Sequence, residues 1–162
     1  MADYESAIQL NRDLGSANTA WNTADVFKAR SVLKSTLASL LAHSVGTSKV
    51  LFLHAAISKV DTADAHVRVI AFTNDQVVIV DGHGSPTALI LARSALVGLA
   101  MHDAPNLLGS DPGSSNALRL SLDYGSAAAG HASITLGHGL QTPRNVTDLE
   151  AFLPELQADL LR

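Results

Sequence analysis

The sequence predicts an α+β fold, an antiparallel β-sandwich or barrel with one amphipathic helix ahead of it and another behind. Three observations carry this. Apolar residues at Val26, Ala29, Leu33, Leu37 and Leu40 advance in steps of three and four, which draws one stripe along a helix. From Val50 the spacing changes to strand-length aliphatic and β-branched runs separated by turn formers, seven in all. Helical spacing then returns at Leu149, Phe152, Leu153, Leu156 and Leu160. Strands that follow one another without intervening helices argue against βαβ units and a parallel sheet.

Residues 1–22 are polar and small, with Leu10, Leu14 and Trp21 as isolated apolar points, and are expected to be loosely ordered or docked only locally. Residues 23–45 form the first predicted helix: Asn22 and Thr23 offer capping oxygens, Asp25 suits a first turn, and Gly46 ends it. Its polar side carries Lys28, Lys34 and several serines, too few cations for a membrane-surface helix, so its stripe is expected to pack on its own domain.

Residues 46–162 hold the strands and the last helix. VLFLHAAIS is the first strand, and HVRVIAFTNDQVVIVDG contains two β-branched runs folded about Thr73–Gln76 as a tight hairpin. TALILA follows, then SALVGLAM, in which Gly98 marks an expected bulge or bend, and then ALRLSLDY and HASITLG. The last helix is signalled by Thr147 and Glu150 in a capping-box pattern, and Pro154 predicts either a kink or a restart.

With 162 residues and 47% hydrophobic composition the chain suffices for one core. A mean hydropathy of +0.20 is high, yet the longest apolar runs fall far short of the roughly 20 residues of a spanning helix. The early acids of MADYESAIQLNRD do not form a secretory signal, and a cytoplasmic location is the expectation. No cysteine is present, which excludes disulfides, thiolate zinc sites and cysteine nucleophiles. A net charge of -4 with dispersed cations argues against nucleic-acid binding, and no cofactor is expected.

Seven strands followed by one amphipathic helix, together with VRVIAFTNDQVVIVDG and the TALILARSALVGLAM pair with Arg93 and Ser94 at its corner, resemble the small bacterial pleckstrin-homology-like (PH-like) domains over residues 50–161. The resemblance implies a seven-stranded barrel or sandwich capped by the C-terminal helix. Gln76 stands where that group often carries an arginine after the turn. The fold hosts phosphoinositide binders, peptide binders and oligomerising modules, so it does not choose a function.

DGHGSP, residues 81–86, is the stretch most suggestive of chemistry. It lies between two strand patterns, no helix follows Pro86 to receive a phosphate, and its residues are those that reverse a chain, so it is expected to be a turn. The same holds for GHG at residues 137–139. None of the seven histidines occurs as HxH or HxxxH, so a zinc site using Asp81 or Asp103 has no prepared spacing. His54, in an apolar strand, is expected to be a half-buried barrel residue. His102 and Asp103 with Ser110 or Ser114 would supply the parts of a hydrolase without a G-x-S-x-G register.

Lys49, Lys59 and Arg68 fall near the ends of the first two strands and are the candidate contacts for an anionic ligand such as a lipid headgroup, although Asp61 and Asp64 oppose one. The long 102–116 segment offers Leu107 and Leu108 as a candidate apolar anchor for a partner. The expected function is non-catalytic: a protein-interaction or scaffold module that binds a protein or peptide along a strand edge or beside the terminal helix, with homo-oligomerisation through the N-terminal helix as a variant. A lipid- or small-ligand-binding barrel and the His102 hydrolase are the alternatives.

Overall fold

The computed structural model describes residues 3–105, 108, 117–127, 130–137 and 140–162. The elements run α1 (Tyr4–Ala17), α2 (Asp25–Ala29), α3 (Leu33–Val45), β1 (Phe52–Ile57), β2 (Val67–Phe72), β3 (Gln76–Asp81), β4 (Thr87–Ala92), a short 3-10 turn (Arg93–Ala95), β5 (Gly98–Asp103), β6 (Arg119–Ala127), β7 (Gly130–Leu136) and α4 (Pro143–Asp159). The strands form two antiparallel sheets, in the orders β1-β2-β3-β4 and β5-β6-β7.

The four-stranded sheet explains why β1, β2 and β3 are nearly continuous aliphatic runs: both of its faces are covered. On one face Leu53, Ala55, Ile57, Val67, Val69, Ala71, Val78 and Val80 meet Leu10, Leu14, Val26, Leu33, Leu37 and Leu41 of the N-terminal helices and Trp21 of the turn between α1 and α2. On the other face the register stacks three rows. Phe52, Phe72, Val77 and Leu91 form the first, His54, Ile70, Ile79 and Leu89 the second, and Ala56, Arg68, Asp81 and Thr87 the third. This face meets the three-stranded sheet, whose Leu120, Leu122, Tyr124, Ala132, Ile134 and Leu136 point inward. The second sheet has one wet face, and its sequence alternates accordingly, with Ser121, Ser133 and Thr135 facing out.

α4 closes the first-row end of the inter-sheet core. Phe152 stacks on Phe52 at 5.3 Å and meets Phe72 edge-on at 5.1 Å. Arg93, at the corner after β4, is almost wholly buried against the same helix. Its guanidinium forks onto Asp159 through Nε (2.8 Å) and Nη2 (3.0 Å), and Nη1 donates to the Thr73 carbonyl at 3.0 Å. Burial disfavours its charge, but the Asp159 and Glu155 carboxylates more than restore it and raise its pKa above the ordinary arginine value.

Several expectations need correction. The seven strands do not close into a barrel: among the described residues β4 pairs only with β3, and β5 only with β6. The buried corner at Arg93 turns the chain out of the first sheet before it enters the second. Of the segment expected to be loose, residues 3–22 are ordered: α1 is capped by Asp3, which accepts from the Ser6 N–H at 2.8 Å, and it buries Leu10, Leu14 and Ala17. Residues 23–45 are two helices, since Arg30 leaves helical geometry (φ -118, ψ 77) and donates to the carbonyls of Gly82 (2.9 Å) and Gly84 (2.7 Å). The break resets the helical phase, so Ala29 drops out of the stripe while Leu33, Leu37 and Leu41 are buried.

α4 begins earlier than its expected capping box. Thr142 accepts from the Asn145 N–H at 3.2 Å, and Pro143 occupies the first turn, where its missing donor costs nothing. Pro154 lies within the continuous helix. The register shifts fall between Met101 and Asp103 and between Asp123 and Ser126, not at Gly98. His54 is fully buried rather than half-buried.

Candidate functional site

The two outer strands of the larger sheet are treated differently. Of the three β1 carbonyls that point away from β2, those of Leu53 and Ala55 are taken by side-chain amides. Asn145 Nδ2 donates to Leu53 O at 2.7 Å, Asn18 Nδ2 to Ala55 O at 2.8 Å, and Gln141 Nε2 to the same Ala55 carbonyl at 3.1 Å. Asn18 and Asn145 are buried, and a backbone bridge between Asn18 and Gln141 holds the pair in place. β1 is thus a covered edge, buried along its length with two of its outward carbonyls taken.

β4 is open. The Arg93 N–H donates to Asp75 O at 2.9 Å, and alternation along an antiparallel ladder then makes Thr87, Leu89 and Leu91 the residues bonded to β3. The N–H and C=O groups of Ala88, Ile90 and Ala92 therefore point outward. Five of the six β4 residues are exposed or half-buried, Leu91 being the exception, and Ile90 is 47% exposed. The strand carries no charge, bulge or internal proline, the usual devices that protect an edge.

A second feature is the mouth between the sheets at the end opposite α4. The Asp81 carboxylate accepts from His66 Nε2 (2.7 Å), Arg68 Nη2 (3.1 Å) and the His83 N–H (2.9 Å). Burial pulls that carboxyl up, but the three hydrogen bonds outweigh it and hold it below the usual carboxylate range. Arg68 divides two open grooves of about 340 and 360 Å3, one lined by Ile57, His66, Ile70, Ser133 and Thr135, the other by Ile79, Asp81, Thr87, Leu89 and Ser133. Its Nε is buried and has no hydrogen-bond partner among the described residues.

DGHGSP is the β3–β4 turn. Gly84 adopts φ +63, Asp81 receives the His83 N–H, and Arg30 clamps the loop from α2. Lys49 and Lys59 lie beyond opposite ends of β1, whose six residues separate them by about 20 Å or more. Only Lys59 lies at the Arg68 end. Leu108 is 98% exposed, and Leu107 lies outside the described residues, as do Ser110, Ser114 and His138.

Of the hydrolase residues suggested by the sequence, His102 and Asp103 are described and Ser110 and Ser114 are not. Asp103 pairs with Arg119 at 3.1 Å, and His102 Nε2 lies 2.7 Å from Ser121 Oγ. The lysines of α2 and α3 are also engaged: Lys28 pairs with Asp25, and Lys34 reaches Asn22 and lies 5.9 Å from the Trp21 and Phe27 rings. Among the described residues no group of three His, Asp or Glu side chains is placed to hold a metal.

Sequence reasoning missed the Asn18, Gln141 and Asn145 caps and the Arg93–Asp159 pair. Asparagine in a polar segment carries no signal of a target 37 or 92 residues away. The openness of β4 had one: TALILA is uncharged and follows a proline. Compared with known proteins, the chain matches no family profile, no curated protein and no solved structure.

Proposed function

We propose that the chain is a non-catalytic protein-interaction module of PH-like type whose recognition element is the β4 edge, receiving an extended strand from a partner. The order of four strands, three strands and a terminal helix supports the PH-like part of this reading. The observation that carries the recognition part is the contrast between edges: β1 is buried, with three side-chain amides on its Leu53 and Ala55 carbonyls, while Ala88, Ile90 and Ala92 leave outward backbone groups on an uncharged, exposed strand.

Hydrogen exchange on the dilute chain tests it. The N–H groups of Ala88, Ile90 and Ala92 exchange freely while those of Leu89 and Leu91 are protected. Extended peptides selected on the wild-type chain lose at least about tenfold in affinity for Ala88→Pro, which removes an outward donor and keeps the ladder to β3. Full retention of binding by that variant overturns the reading.

A second reading is an anionic ligand in the inter-sheet mouth. The Arg68 Nε, unpartnered among the described residues, favours it, with Lys59 at the same end and Asp81 opposing. Lys59→Glu with Arg68→Glu then abolishes binding to acidic vesicles, and unchanged binding refutes it. A hydrolase at His102 requires turnover that His102→Ala destroys.

A further inference from the structure

We propose that the strand received by β4 is β4 of a second copy of this chain, so that two four-stranded sheets join across a two-fold axis into one eight-stranded sheet. This rests on the open-edge reading and names its occupant. Residues 88–92 are Ala-Leu-Ile-Leu-Ala, identical in both directions about Ile90. A two-fold axis reverses the second strand, so an isologous contact must be self-complementary. With Ile90 on the axis, Ala88 faces Ala92 of the second copy, Leu89 faces Leu91, and Ile90 faces Ile90.

The hydrogen-bonding phase agrees with the palindrome. Ala88, Ile90 and Ala92 are the outward-bonding positions, and this register sets each of them against another. A shift by one residue would oppose them to Leu89 and Leu91, whose backbone groups already bond to β3. A shift by two would bring in Pro86, which has no N–H, or Ser94 beyond the strand's end. The side chains fit as well: Ile90 lies between two alanines on its own face, which leaves room for its counterpart, and no charge on β4 opposes its like.

Closure follows from the other edge. β1 is buried and carries Asn18, Gln141 and Asn145 on two of its carbonyls, so among the described residues the larger sheet offers only β4, and pairing through it ends at two copies instead of continuing as a fibre. The apolar stripe of α3 is not available for the alternative, self-association through the N-terminal helices, because Leu33, Leu37 and Leu41 are spent on the chain's own sheet.

Sedimentation of the full chain at about 100 µM is the test. The wild type sediments at twice 16.9 kDa, and Ala88→Pro sediments as a monomer with an unchanged far-UV spectrum. Because the chain has no cysteine, Ile90→Cys adds a single thiol whose Cα lies about 5.5 Å from its counterpart, within disulfide reach, and mild oxidation gives a covalent dimer. Val97→Cys, exposed but off this edge, does not cross-link above collision level. A monomeric wild type with freely exchanging 88, 90 and 92 amides overturns self-pairing and leaves the open edge standing. A monomer in which those amides are protected overturns both. A dimer that persists in Ala88→Pro and does not cross-link through Ile90→Cys places the contact elsewhere and overturns the proposal.

Discussion

Asp159→Asn strands a buried cation. Arg93 and Asp159 are each about 1% exposed, and the carboxylate takes two guanidinium bonds at 2.8 and 3.0 Å. Removing one partner of such a pair costs about 3–5 kcal/mol, because the remaining charge stays desolvated. Glu155 approaches Nη2 at 3.3 Å but is 54% exposed, so it offsets only about 0.5 kcal/mol. The Asn oxygen retains one acceptor, which sets the expected loss near 3 kcal/mol. Replacing both partners, Arg93→Met with Asp159→Leu, removes the stranded charge together with its counter-ion. It leaves mainly the Thr73 carbonyl without a donor, a loss of about 1–2 kcal/mol. Urea unfolding of Asp159→Asn and of the double variant, read at equal m-value, measures this. The reasoning is refuted if the double variant is less stable than Asp159→Asn, since the pair would then stabilise by attraction and not merely by mutual compensation. The same residue ties α4 to the end of β4, so Asp159→Asn also speeds amide exchange at Arg93.

Asp81→Asn tests the mouth. Its folded carboxyl lies below the ordinary value of 3.8, so its contribution is present above about pH 4 and is lost as pH falls through the folded pKa; the stability gap between wild type and variant closes in that acid window. A gap that stays constant down to about pH 2 contradicts the assignment. Gly137→Ala costs more than about 3 kcal/mol, because φ is +77 and an added Cβ would fall 2.0 Å from the Leu118 carbonyl oxygen; a melting shift of only a degree or two is the contrary result. Asn145→Ala leaves the Leu53 carbonyl without its buried donor and lowers stability by about 1–3 kcal/mol, with faster exchange along β1 in the same samples. Tyr124→Phe removes a buried hydroxyl that has no partner among the described residues and is neutral or stabilising by up to about 1 kcal/mol; a loss above that in calorimetry disproves the unsatisfied state.

How legible each element was depended on how much of its burial was local. α3 and α4 announced themselves because their apolar residues repeat at the helical period, whereas α1 buries only Leu10, Leu14 and Ala17 and leaves too faint a stripe. Of the candidate contacts, Arg68 reached the mouth with Lys59 at its end, while Lys49 did not, since sequence proximity to a strand does not say which end a residue occupies.

The sequence by itself determined the class of the fold, the number of strands, the hairpin at Thr73–Gln76 and the turn at DGHGSP. All of these follow from side-chain period and local turn chemistry, which act over a few residues. Tertiary structure decided that the sheets stay separate, that Arg93 finds Asp159 66 residues away, and that β1 is covered while β4 is not. Those outcomes rest on which backbone groups water can still reach once the helices have docked, a property of the assembled surface that no local stretch of the chain contains.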